Sequence, residues 1–173
     1  MKKREVAQSK EAMKEEARER AFKYESTYHG CSQCTMRALQ EVLGLEDELV
    51  FKAASCLHGG MPVERKVCGA LNAGVMVLGM KYGRASLDEG MAGTLKGMLQ
   101  VQKLVKRFEQ KFGTTACLEI TEGQTVAMDE EGLKYFIEHP EVMEEMSREL
   151  IKRCSQVVGK TAEIVVDIIN EEG

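Results

Sequence analysis

The chain has no tryptophan, two prolines among 173 residues, and an aromatic content of 5%. So few aromatic rings leave no stacking platform for single-stranded nucleic acid. Scarce proline favours long helices, because an interior proline removes a backbone donor and kinks the element. A surplus of positive charge is missing as well. With 24 Lys and Arg against 28 Asp and Glu, the net charge is −4, so the basic footprint of a nucleic-acid binder is absent. The longest uncharged stretch, Val67 to Met80, is 14 residues, short of the roughly 20 that span a bilayer. Lys2, Lys3 and Arg4 lead into Lys10-Glu11-Ala12-Met13-Lys14-Glu15-Glu16 rather than an apolar segment, so no secretory signal is expected. These absences point to the cytoplasm, without membrane insertion and without a nucleic-acid partner.

What is present is an ordinary globular balance, 43% hydrophobic and 30% charged. A chain of this length buries roughly 70% of its unfolded surface and folds without disulfide staples. Yet it carries six cysteines, at positions 31, 34, 56, 68, 117 and 154. Thiols stay reduced in the cytoplasm. Metal binding or redox chemistry is therefore the first explanation, and inert buried thiols are the plain alternative.

Periodicity predicts an all-α fold, a single domain of six or seven helices, with residues 1–9 a flexible tail. A charged helix over 10–28 has a narrow apolar stripe at Met13, Ala17, Ala21 and Tyr24. His29-Gly30 interrupts it, and a second helix runs from about Ser32 to Val42, ended by Gly44. A third spans about 45–56, with apolar points at Leu49, Val50, Ala53, Ala54 and Leu57. After the Gly59-Gly60-Met61-Pro62 turn, a fourth is expected from about Arg65 to Tyr82, apolar on nearly all sides and therefore buried. A fifth, about 87–112, shows a stripe at Leu87, Met91, Leu95, Met98, Val105, Phe108 and Phe112. A looser stretch, 121–132, and a short helix at 133–137 precede Pro140. The last helix runs from Glu141 towards Ile169, with Met146, Leu150, Cys154, Val157, Ala162, Val165 and Ile169 near one face. A strand over 163–169 is the weaker alternative, because charge interrupts that run at helical spacing.

Several motifs fail. Gly159-Lys160-Thr161 ends like a phosphate loop, but residue 154 is cysteine where the first glycine belongs, and no strand precedes it. Cys31-Ser32-Gln33-Cys34 is followed by Thr35, not by the histidine of a haem attachment. A charged helix, not a strand, leads into it, which excludes a thioredoxin arrangement. There is no second C-x-x-C for a zinc ribbon and no histidine pair for a zincin.

Cys31 and Cys34 fall near a predicted helix start, and so does Cys68. Unsatisfied N–H groups and the positive dipole end there lower a thiol's pKa. Cys117 follows Gly113 at a short junction. Cys154 lies on an apolar stripe, where a core thiol is the plain alternative, as it is for Cys56. His58 is either a ligand or an exposed loop histidine. The 11 methionines fill the core rather than bind copper.

Taken in order, Gly30-Cys31-Ser32-Gln33, Gly59-Gly60-Met61, Cys68-Gly69-Ala70 with Leu78-Gly79, Phe112-Gly113 with Cys117-Leu118-Glu119, and Cys154 with Val157-Val158 resemble the redox-active family named for its C_GCAxxG_C_C cysteine pattern. The resemblance covers about residues 20–170. It implies a small helical protein whose four defining cysteines are Cys31, Cys68, Cys117 and Cys154, and some relatives are associated with iron–sulfur or other redox cofactors. The chain departs from the pattern at Cys34, Cys56 and His58, and at Ala73, where a glycine is expected.

Three functions compete. In the first, Cys31, Cys68, Cys117 and Cys154, with Cys34 as an extra candidate ligand, hold an iron–sulfur cluster for electron transfer. In the second, no metal is bound, and Cys31 works as a dithiol with Cys34 or Cys68. In the third, four cysteines hold a structural zinc. Electron transfer implies a redox partner protein, soluble or membrane-associated. The charged helix 10–28 is the candidate docking surface or homodimer arm, or else a solvated helix.

Overall fold

The computed structural model describes residues 9–61, 64–123, 130–142 and 148–172. Among them the protein is all-α, with no strand. The helices are α1 (Lys10–Tyr28), α2 (Cys31–Leu43), α3 (Glu48–Ala53), α4 (Gly69–Tyr82), α5 (Ala92–Phe112), α6 (Cys117–Ile120), α7 (Glu130–Glu138) and α8 (Arg148–Glu172), with 3-10 turns at Ala54–Leu57 and Leu87–Glu89.

The first helix begins where Ser9 accepts the Ala12 N–H, and α2 ends at Gly44, which adopts the left-handed conformation. Asp47 caps α3 through the Val50 N–H. The core forms where α1 lies along α8 and both meet α2, with α4 packed on α2 and α5 on α4. Met36, Leu39, Leu71, Leu78, Leu104, Phe108, Val158, Val165 and Ile168 are fully buried there. Glycine makes the closest approaches. A Cβ on Gly159 of α8 would stand 2.9 Å from the Arg18 carbonyl of α1, and one on Gly74 of α4 would stand 2.9 Å from Leu104. Arg107 of α5 bonds Asp167 at 2.9 Å and also pairs with Glu171, tying α5 to α8 outside the core.

Most expected elements are present, and the differences have physical causes. The described residues hold more than six or seven helical pieces, because the third expected helix tightens into a 3-10 turn after Ala53 and the Cys117 segment closes its own turn. The fourth helix starts at Gly69, not near Arg65, because Arg65 has a positive φ and the chain through Cys68 is hydrogen-bonded against residues 115–118. The fifth begins as a 3-10 turn capped by Ser86 and Glu89, then runs as α5 from Ala92. Its N-terminal stripe does not reach the core: Leu87, Met91, Leu95 and Met98 are exposed, as is Leu49 of α3, whereas Leu104 and Phe108 are buried. The methionines divide likewise, Met36 filling the core and Met61, Met91 and Met98 lying exposed. The segment 163–169 is helical and lies within buried α8. Residues 1–8 of the expected tail, residues 124–129 of the looser stretch, and Met146 lie outside the described residues. No helix of the described residues is long and apolar enough to cross a membrane.

Candidate functional site

One end of the helix assembly is made of turns. After the 3-10 turn, Gly59, Gly60 and Met61 all take positive φ, at 68°, 70° and 61°. Position 60 admits only glycine, because a Cβ there would meet the Cys117 Cβ at 2.6 Å and the Val67 carbonyl at 3.0 Å. The chain then runs back beside 115–118. Cys68 N–H donates to the Thr115 carbonyl at 2.9 Å, Cys117 N–H to the Lys66 carbonyl at 2.6 Å, and Leu118 N–H to the Arg65 carbonyl at 3.2 Å. Val67 and Ala116 form an isolated antiparallel bridge. This clasp delivers Cys68 as the N-cap of α4 and Cys117 as the first residue of α6.

Cys31 opens α2 after the His29-Gly30 reversal, where both residues have positive φ. It lies so close to α4 that a Cβ on Gly69 would stand 2.6 Å from its Sγ. Cys154 comes from α8. The four cysteines thus arise from four elements, and all four line one cavity of about 320 Å³. Glu25, His58 and Arg65 share that cavity with an apolar wall that includes Ile120, Leu150 and Val157.

The other two cysteines go elsewhere. Cys34, one turn after Cys31, is buried but lines a separate depression with Tyr24, Arg37 and Phe51. Its thiol donates to the His29 carbonyl at 3.3 Å. Cys56 is exposed rather than buried in the core, because it lies on the outer side of the 3-10 turn Ala54–Leu57, whose buried residue is Ala54. His58 is half-buried on the cavity wall rather than exposed.

The thiols do not behave as helix starts alone would predict. Burial pushes Cys31 well above the ordinary thiol range and neighbouring Cys68 adds to it, with the Gly59 amide opposing. Burial raises Cys68 to about 11, against the opposing pull of the Leu71 and Ala70 amides at the start of α4. Cys117 is raised by burial against the charge and hydrogen bond of Arg65. Cys154 and Cys34 are raised by burial and then by the charge of Glu25. Desolvation outweighs the helix ends, so the free thiols are protonated at neutral pH.

Two residues of this site were not singled out from the sequence. Glu25 is 4% exposed, and its Oε2 has no hydrogen-bond partner. Burial raises its carboxyl to about 7, opposed by the neighbouring Cys34 thiol and the charge of His29. A signal was present: Ala17, Ala21 and Glu25 recur every four residues on the buried face of α1, so a carboxylate continues an apolar stripe. Arg65 carried no such signal, since its place depends on the clasp.

The residues suit a soft, positively charged centre. Four sulfurs face one space, N–H groups of Gly59, Ala70 and Leu71 address two of them, and the orphaned Glu25 oxygen adds a buried acceptor. Among the described residues, no three His, Cys, Asp or Glu side chains stand close enough to hold one metal ion. Neither a curated protein nor a solved structure gives a significant match. The model of the family described as "Putative redox-active protein (C_GCAxxG_C_C)" matches residues 29–168, which include all four cavity cysteines, and the chain belongs to that family.

Proposed function

We propose that Cys31, Cys68, Cys117 and Cys154 hold an iron–sulfur cluster and that the protein transfers electrons through it. The observation that carries this reading is the convergence of four thiols from four elements on one cavity of about 320 Å³. A bound cluster would supply one-electron chemistry without general acid or base groups.

The alternatives fit less well. A nucleophilic dithiol needs thiolate at neutral pH, and burial raises Cys31, Cys34 and Cys68 instead. Cys31 and Cys34 also face different spaces. Metal coordination reverses the first difficulty, because a bound cation deprotonates a thiol outright. A single zinc draws its sulfurs to about 2.3 Å from one point, whereas no three donors of the described residues stand at single-ion separation. A polynuclear centre spaces its thiolates more widely.

The chain's own residues would seat and insulate the centre. The Gly59 amide beside Cys31 and the Ala70 and Leu71 amides beside Cys68 favour the thiolate forms of these two residues. Ile120, Leu150 and Val157 exclude water from one side. The electrons pass to a partner redox protein, soluble or membrane-associated, in the cytoplasm. Charges on α1 pair in part within the molecule, as Lys14 with Asp167 and Arg20 with Glu41, which supports a solvated face over a docking arm for this helix.

Anaerobic purification followed by a visible spectrum and iron, zinc and sulfide analysis tests the reading. Broad absorption near ~400 nm with iron and sulfide is expected. Cys68→Ser should abolish it, and Cys34→Ser should leave it. A colourless protein with stoichiometric zinc, or one without metal whose Cys31 forms a disulfide, would overturn the cluster.

A further inference from the structure

Helix α5 is apolar on two faces. One face carries Leu104 and Phe108, with Gly97 and Gln100, into the interior. The other carries Leu95, Met98 and Leu99, continued by Leu87 and Met91 just before the helix, and these five side chains are 56–79% exposed. A surface helix that meets only water turns polar residues to that side. A Leu or Met at such exposure offers roughly 60–120 Å² of apolar surface, so the five make a patch of roughly 300–600 Å², the size that proteins use as a contact surface. Two such patches face to face would bury roughly 600–1,200 Å² of apolar area. A specific interface buries about 1,200–2,000 Å² in all, of which about 65% is apolar between identical chains. One patch on each of two copies therefore supplies the apolar centre of an interface at the small end of that range.

The charges around the patch are arranged for the same partner. Before the stripe, Glu89 is held in the capping box with Ser86, whereas Asp88 is exposed and has no ion-pair partner among the described residues. Past the stripe, Lys103 is held by Glu172 at 3.1 Å and Arg107 by Asp167 at 2.9 Å. Lys106 between them is exposed and has no ion-pair partner among the described residues. Lys96 lies over the Tyr82 ring, 5.0 Å from its centre. An unpaired anion thus stands at one end of the stripe and an unpaired cation at the other.

We propose that this face is the interface of a reversible homodimer, in which α5 of one chain packs antiparallel on α5 of a second copy. Asp88 and Lys106 lie at nearly equal separations on either side of the middle of the stripe, between Leu95 and Met98. A two-fold axis there brings Met91, Leu95 and Met98 of the two copies together and sets each Asp88 near the other copy's Lys106, twice over. A parallel pairing would set like charges together instead. The core lies on the other face of α5, so one chain folds without the contact, and the small area makes the association weak and concentration-dependent. The contact does not depend on what the cysteine cavity holds.

Sedimentation velocity of the full chain, purified without oxygen and run over a wide concentration range, tests the proposal. The expected result is a shift from monomer to dimer as concentration rises. Leu95→Asp should raise the dissociation constant by about tenfold or more, because it sets two carboxylates together near the axis, with the circular dichroism of the chain unchanged. Asp88→Lys alone should raise it by about threefold, and combining it with Lys106→Asp should restore the starting value. A chain that stays monomeric at every concentration overturns the proposal and leaves the face to a different partner. A dimer that survives Leu95→Asp places the contact elsewhere and overturns it too. If Leu95→Asp misfolds, the charge pair decides: a double reversal that dissociates as readily as Asp88→Lys overturns the antiparallel contact.

Discussion

The middle of the molecule and its cysteine end are built by different rules. In the middle, α1, α2, α4, α5 and α8 meet through periodic faces, and the buried residues are those that recur at helical spacing, such as Val157, Ala162 and Val165 on α8. At the cysteine end, side chains arrive from helix starts, a run of positive-φ residues and a two-segment clasp. The middle therefore tolerates loss only as a cavity tolerates it, by area and volume. The cysteine end depends on single contacts that have no periodic substitute.

The sharpest contrast comes from truncating the middle. Phe108→Ala should cost about 3–5 kcal/mol, as large core deletions do, because the ring is fully buried and packs 4.7 Å from Phe112. Urea unfolding measures the loss, and the iron content per folded molecule should not change. A parallel loss of iron would break the separation of the two regions.

Next is the pH dependence carried by Glu25. Its carboxyl rises from 4.5 to about 7 on folding, so the folded state keeps a proton that the unfolded chain releases. That contribution is complete below about pH 4.5 and is lost as pH rises through about 7. It amounts to at most about 3 kcal/mol, at 1.36 kcal/mol per unit. Denaturant titrations of the metal-free protein across this window should show stability falling with pH, and Glu25→Gln should flatten the slope. An unchanged slope would mean that the carboxyl is not the buried acid described.

Gly69→Ala should cost about 1–3 kcal/mol, the usual range for overpacking. Its new Cβ would press on the Cys31 sulfur and on the Leu57 carbonyl, 2.8 Å away. Unlike Phe108→Ala, it should also reduce iron binding, which metal analysis of the purified variant would show. The smallest effects are expected outside both regions. Leu95→Ser, on the exposed start of α5, should stay within about 0.5 kcal/mol in thermal unfolding. Exposed Cys56 should be the first thiol alkylated in the native protein, as peptide mapping after brief iodoacetamide treatment would reveal.

Helices were legible because their signals are local. The Gly44 stop after α2 and the apolar face of α8 need no knowledge of distant residues. The stripe at Leu87, Met91, Leu95 and Met98 misled because periodicity identifies an apolar face without identifying what covers it. The cysteine set was legible through family resemblance, and its convergence on one cavity needed coordinates. Cys34 shows the limit of spacing: three residues from Cys31 on one helix, it turns to a different depression. The thiol acidity was misjudged because a helix end is visible in sequence, whereas the burial that outweighs it is a tertiary property. Arg65 was illegible because its partners are supplied by residues 61, 118 and 121.

The placement of Cys154 on α8 bears on how the protein is made. A ribosome releases Cys31, Cys68 and Cys117 before α8 emerges, and α1 waits for the same helix, since it packs along α8 and its Lys10 carbonyl accepts from Asn170 at 3.2 Å. Closure of the helix assembly and completion of the four-thiol set then both wait for α8. A chain stalled before α8 would present three of the four cavity thiols on an unclosed fold.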